Sequence, residues 1–159
     1  MTRDLPALTG PMADMLAGAV SRADVERLQC EVAKLPQYEP ATKHYFHGGM
    51  YCREVWRDGG VLVVGKVHRK EHFYLIVRGT VAVTTDDGVQ ELEGPALLMC
   101  KPGTKRAVLS LTPALCMTFH CTDATTVEAA EAELVEEDPG AMYGAGNSLK
   151  APSAQGALQ

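Results

Sequence analysis

From about Met50 onward, apolar and polar residues alternate in short runs, the period of a half-buried β-strand rather than of a helix. Strands are predicted at Met50 to Arg57, Val61 to Val67, His72 to Arg78, Thr80 to Thr85, Val89 to Glu93, Ala96 to Lys101, Arg106 to Leu111 and Ala114 to His120. Asp58-Gly59-Gly60, Gly79, Asp86-Asp87-Gly88 and Pro102-Gly103 supply the turns, and Asp87-Gly88 between two alternating runs predicts a hairpin. Many short strands at this spacing predict an all-β sandwich or barrel.

The flanks follow a different rhythm. Ser21 with Asp24 forms a helix-opening pair, and Val25, Leu28, Val32 and Leu35 recur at three- and four-residue intervals until Pro36 stops the run. This amphipathic helix packs either on its own chain or on a dimer partner. Residues 1–20 show no clear period and read as an irregular arm. Beyond His120, Thr125 with Glu128 opens a second helix, on which Val127, Ala130 and Leu134 make a narrow apolar stripe. Seven acidic residues from Asp123 to Asp138, with no base among them, suggest a solvated helix face. From Gly140 the Gly, Ala and Ser content predicts a mobile tail. The expected plan is an N-terminal arm with a helix (1–42), a β domain (43–122), an acidic helix (123–138) and a tail (139–159).

Candidate chemistry concentrates in GKVHRKEHFYLIVRG, Gly65 to Gly79. Counting in twos places Lys66, His68, His72 and Tyr74 on one face and Phe73, Leu75 and Val77 on the other. Two imidazoles on one face are a possible metal site. On the last strand Cys116, Thr118 and His120 share a face opposite Leu115, Met117 and Phe119, so His120 is the expected third ligand and Glu71 a spare carboxylate. Three neutral imidazoles with open positions suit Zn, Fe, Mn, Ni or Cu without choosing among them. The competing reading is that these histidines are structural. His44 and His47 fit neither a helix face nor a strand face and read as loop or edge-strand residues; Tyr51, Tyr74 and Trp56 are either pocket-lining or cross-strand partners.

Bulk properties narrow the partners. A chain of 159 residues makes one ordinary domain, and a net charge of -5 gives no reason to invoke nucleic acid or an anionic membrane. Five cysteines without a CxxC spacing suggest neither a disulfide framework nor a zinc knuckle, and reduced cytosolic thiols follow. No basic leader precedes an apolar run and no eighteen apolar residues are consecutive, so a cytoplasmic protein is expected.

With those residues in place, the chain resembles the cupin family, whose first motif is G-x5-H-x-H-x3,4-E-x6-G. Setting Gly79 on the final Gly puts Lys66 and His68 on the family's two histidines and His72 on its Glu. The run Pro102-Gly103-Thr104-Lys105-Arg106 is similar to the second motif's Pro-Gly-Thr-x-His turn, with Arg106 in place of the histidine. The resemblance implies a jelly-roll β-barrel over residues 48–121. GKVHRKEH followed by PGTKR also resembles small cupin-like proteins of tailed phages and prophages, which implies virion association if the chain is phage-encoded.

In that register Lys66 and Arg106 face the cavity, where they would oppose a cation and attract a carboxylate or phosphate. Alternatively, Lys66 leans into solvent and Arg106 pairs with an acid. Two functions follow. One is a metal-dependent small-molecule cupin, enzyme or sensor, with His68, His72 and His120 on a divalent transition metal and Lys66, Glu71, Tyr74 and Arg106 as ligand-binding residues. The other is a non-catalytic assembly protein, pairing as a homodimer or with phage structural partners through its terminal segments.

Overall fold

The computed structural model describes residues 11–18 and 21–150. Two helices come first, α1 (Pro11–Ala17) and α2 (Arg22–Val32), followed by nine strands. These are β1 (Ala41–His47), β2 (Met50–Arg57), β3 (Leu62–Val64), β4 (His72–Arg78), β5 (Thr80–Thr85), β6 (Gly88–Glu93), β7 (Ala96–Cys100), β8 (Ala107–Ser110) and β9 (Ala114–Cys121). Helix α3 (Val127–Leu134) closes the set, with a 3-10 turn at Ala145–Asn147.

All strand pairings are antiparallel, and they form two sheets with the orders β1-β2-β9-β4-β7 and β3-β8-β5-β6. The closed barrel expected from the family resemblance is thereby corrected to an open sandwich. Closure needs ladder bonds between the outer strands of the two sheets, and no such pairing exists among the described residues. β3 stops after three residues, Gly65 still donates to the Arg106 carbonyl at 2.9 Å, and residues 66–71 then run outside both sheets.

Alternation explains what faces what. Tyr74 and Ile76 of β4, Val81 and Val83 of β5, Val108 of β8 and Cys116 of β9 pack together between the sheets. Ala82, Ala107 and Leu109 face the other way and meet Leu16 of α1 and Val25, Leu28 and Val32 of α2. The small sheet is therefore covered on both sides, and each large aliphatic side chain so buried contributes about 1.5–3 kcal/mol. Helix α2 opens with the predicted capping box, Ser21 accepting from the Asp24 amide and Asp24 accepting from that of Ser21. Its apolar stripe packs on its own chain, while Leu35 lies beyond the helix and is exposed.

Several expectations change at the flanks. Residues 11–17, read as irregular, form α1, and the rest of residues 1–20 lies outside the described residues apart from Gly18. β1 was not among the predicted strands, but of the two readings of His44 and His47, loop or edge strand, the structure shows the second: β1 is the edge of the larger sheet and carries both. Helix α3 is capped by Thr126, one residue later than Thr125, through its side chain accepting from the Ala129 amide. Of the segment read as a tail, residues 140–150 run along the domain with Ala141 and Tyr143 buried, and the Tyr143 hydroxyl donates to the Tyr38 carbonyl at 2.6 Å. The remainder, 151–159, lies outside the described residues.

The acidic segment is not a uniformly solvated face, because bases arrive from elsewhere. Arg53 and Lys66 pair with Glu131, Lys70 with Glu133, Arg22 with Glu136 and Lys105 with Asp138. Sequence windows see only neighbours along the chain, so this compensation was invisible to them.

Candidate metal and anion site between the sheets

Registers across the larger sheet bring inward-facing residues into rows. Phe46 pairs with Tyr51 and Tyr51 with His120, and because Phe73 pairs with Phe119, His72 stands beside His120. Rings fill this row: centroids are 4.7 Å apart for Phe46 and Tyr51, 5.7 Å for Tyr51 and His120, and 4.7 Å for His120 and His72. His68 completes the group at 4.2 Å from His72 and 5.1 Å from His120.

His68 reaches that position without the extended backbone assumed from the sequence. Its segment is pinned from two sides: it bridges to Val135 just past α3, and its carbonyl accepts from the Gly103 amide at 2.9 Å. Arg69 donates to the Leu134 carbonyl at 2.8 Å. The Pro102-Gly103 turn, which carries the second half of the family resemblance, therefore braces the histidine of the first half. Gly103 suits this role because its φ of +82° lies in the left-handed region.

Burial keeps these imidazoles neutral. It pushes His68 down to about 2, aided by His72, His120, Arg53 and Lys66, and pushes His120 down to about 3, aided by His72 and Arg53. His72 is lowered by burial as well, against a bond to the Lys70 carbonyl that raises it, with Arg106 and Arg53 adding to the lowering. Neutral imidazole is the form that binds metals. Both ring nitrogens of His120 are buried without a hydrogen-bond partner, although a neutral imidazole has one donor and one acceptor to satisfy. The donor chemistry suits a transition metal. In the arrangement described, however, the His120 ring stacks on His68 and His72 at 18° and 25°, those two are tilted by 40° to each other, and no three His, Cys, Asp or Glu side chains among the described residues converge on one point.

Below the imidazoles lies a cavity of about 120 Å³ between the sheets. His68, His72 and Tyr74 line it, as do four cations, Lys66, Arg53, Arg57 and Arg106, and among the described residues no carboxylate does. Lys66 and Arg53 are held by Glu131 at 3.7 and 3.0 Å, and Lys66 also approaches the Gly144 carbonyl at 3.5 Å. Neither half of the competing reading of these cations holds: Lys66 turns inward rather than into solvent, and Arg106 pairs with no acid among the described residues, donating instead to the Thr84 carbonyl at 2.7 Å, while both line the cavity. Glu71 is exposed and does not line the cavity, so the structure does not bring it to the site.

Arg53, Arg57, Thr118 and Asn147 line the cavity without having been singled out as site residues. The signal for the two arginines was present in strand β2, where Tyr51, Arg53, Val55 and Arg57 alternate onto one face. Two cations on the face that also carries a large aromatic mark an interior with polar work to do. Asn147 carried no such signal, because its approach depends on the fold of the last segment.

His44 is not part of the imidazole group. Its Nδ1 is 2.7 Å from the Tyr51 hydroxyl, and Arg53 Nε donates to the same oxygen at 3.1 Å. Together they fix the ring against which His120 packs. Among the described residues no helix is long and apolar enough to cross a membrane, and all five cysteines are free.

No family model matches this sequence, and no curated protein matches it. Solved structures of similar fold include KdgF from Halomonas sp., with a TM-score of 0.49 and 15% identity over 55% of this chain and 84% of that one. A cupin superfamily protein from Desulfitobacterium hafniense gives a TM-score of 0.47 and 16% identity over 57% and 86%. Salicylate 1,2-dioxygenase from Pseudoaminobacter salicylatoxidans gives 0.47 and 14% over 59% of this chain and 30% of the dioxygenase. The neighbours thus include a cupin superfamily protein, and the chain itself is mostly β, folded as two facing antiparallel sheets.

Proposed function

We propose that this chain is a metal-dependent, cupin-like protein that acts on or senses a small anionic molecule in the cavity between its sheets. One observation carries the metal reading: His120 keeps two buried, unpartnered ring nitrogens within a stack of neutral imidazoles that includes His68 and His72. Rotation of the rings out of their stack is needed to bring one nitrogen of each onto a common centre at about 2.0–2.1 Å. A divalent transition metal at that point supplies Lewis acidity or an activated water. The chain's own contribution is to exclude bulk water, hold the imidazoles neutral and present Arg57, Arg106, Lys66 and Tyr74 to an anion.

The test is metal stoichiometry and spectroscopy on purified protein stripped of metal and then titrated with Zn(II) or Co(II). One ion per chain is expected, with Co(II) absorption bands of low coordination number, and both lost in His68→Ala and His120→Ala. If nothing loads, the histidines are structural and this reading fails.

The assembly reading is favoured by a different feature. Phe73, Leu97 and Met99 are 47%, 57% and 79% exposed on the outer face of the larger sheet, with Met99 opposite Phe73 in the register and β7 at the sheet edge. On this reading the face pairs with a second copy of the chain. Sedimentation of the protein and of Met99→Lys decides it: a dimer that the substitution dissociates supports pairing, and a wild-type monomer at high concentration excludes it.

A further inference from the structure

Inside the cavity is a positive charge that no described residue answers. Arg57 is 5% exposed, and its Nη2 donates to the Tyr74 hydroxyl at 3.1 Å while Nε and Nη1 are buried without partners. The neighbouring cations Arg53 and Lys66 share Glu131, whereas among the described residues Arg57 has no ion pair and no carboxylate lines the cavity. A guanidinium does not shed its proton to escape burial. An unpaired buried charge with two unpartnered donor nitrogens is therefore a strong cost to the folded chain, and a ligand of opposite charge removes it.

We propose that Arg57 seats the carboxylate of the ligand, and that the ligand class of this cavity is small organic carboxylates. The inference rests on the reading of this cavity as the ligand site and adds to it the charge, shape and size of what binds. A guanidinium without a carboxylate calls for a negative charge, and the two oxygens of a carboxylate fit one edge of it, formed by the second N–H of Nη2 together with Nε or Nη1, the other Nη2 N–H being given to Tyr74. A phosphate has no apolar part to set against the valine side chains of this lining, so it fits less well than an organic carboxylate. Val55, Val64 and Val108 supply apolar wall, and Thr118, whose buried hydroxyl is also unpartnered, supplies a second polar contact. A free volume of about 120 Å³ limits the acid to a few carbons or a single ring.

The experiment uses the full chain stripped of metal, so that it does not depend on the histidines holding an ion. Propionate, benzoate, propionamide and inorganic phosphate are compared by titration calorimetry and by melting temperature at matched ionic strength. Saturable binding and a rise in Tm are expected for propionate or benzoate, none for propionamide, and affinity weaker by about tenfold or more for phosphate. Arg57→Met is expected to weaken carboxylate binding by about tenfold or more, while its own Tm without ligand stays level or rises, because the unpaired charge is gone.

Equal responses to propionate and propionamide overturn the proposal, as does tighter binding of phosphate, or carboxylate binding that survives Arg57→Met. If Arg57→Met fails to fold, the wild-type comparison of propionate with propionamide decides alone. Failure of metal loading leaves every arm of this test intact, and failure here leaves the metal titration intact.

Discussion

Lys105 buries its ammonium against Asp138, Nζ to Oδ2 at 2.6 Å, with the lysine side chain 2% and the aspartate 19% exposed. The pair ties the turn that braces His68 to the segment following α3. Burial alone would raise the Asp138 carboxyl, but the Lys105 ammonium, the Gln29 amide and the Gly140 N–H outweigh it and hold the group below the usual carboxylate range. Asp138→Asn leaves the lysine charge buried and unpaired, and is expected to cost about 3 kcal/mol at pH 7 in urea denaturation. The sign with pH follows from a lowered folded-state pKa: the stabilisation is present above the unfolded value of about 4 and is lost as pH falls below it. The difference between wild type and Asp138→Asn should therefore shrink below pH 4, and a constant difference from pH 7 to 3 contradicts the ion pair.

The imidazole group sets a second pH dependence, at a different place on the scale. His68 and His120 are held near 2 and 3 in the folded chain by burial, so below about pH 6.5 the unfolded chain takes up protons that the folded chain refuses. Metal-free protein should lose stability as pH falls from 6.5 toward 3, at a slope approaching about 1.4 kcal/mol per pH unit for each imidazole. His120→Asn should flatten that slope between pH 6 and 5 while leaving the carboxylate transition near pH 4 in place. Equal slopes in the two proteins would mean that His120 titrates normally in the folded chain.

Much of the β framework could be read from the sequence, because its signals are local. β2, β4 and β5 match their predicted ends, and the Asp87-Gly88 hairpin joins β5 to β6 with Thr85 opposite Gly88. Residues 68, 72 and 120 were expected together, and their rings do lie together: alternation along β4 and β9 turns His72 and His120 inward, whereas His68 is placed by its bridge to Val135 and the Gly103 amide, which the sequence did not show. What escaped the sequence was long-range. β1 shows little apolar contrast, its burial alternating only between exposed and intermediate. The bases that neutralise α3 come from strands and turns far along the chain. Arg57 became conspicuous only once no carboxylate was found near it.

Gly79, the last residue of the motif stretch, offers a sharp test of the turn from β4 to β5. Its φ is +91°, and a Cβ there would lie 2.3 Å from the Pro113 carbonyl oxygen and 2.8 Å from Ala114 Cα, both backbone atoms that cannot swing aside. Gly79→Ala is therefore expected to destabilise by about 3 kcal/mol or more, from left-handed strain and overpacking together. Gly88 has φ +100° but open space around the added carbon, so Gly88→Ala should cost only about 1 kcal/mol. Thermal denaturation of the two variants side by side checks the ordering, and similar losses would mean that the contact at Gly79 relaxes.

Glu131 offers the last test, because one carboxylate serves both stability and the charge of the cavity. It lies on α3, accepts from Arg53 at 3.0 Å, stands 3.7 Å from the Lys66 ammonium and also accepts from the Gly146 amide at 3.1 Å. Glu131→Gln keeps an acceptor for the amide and removes the charge, leaving two largely buried cations without an anion. Stability should fall by about 2–4 kcal/mol, since breaking a buried pair strands its partners. Affinity for a small carboxylate should move the other way, rising a few-fold, because Arg53 and Lys66 then add to the field of Arg57 and Arg106 in the same cavity. Urea denaturation and propionate titration of the one variant read both effects. A loss of stability with unchanged or weaker propionate binding would show that Glu131 only fastens the helix, and that these two cations do not act on the ligand.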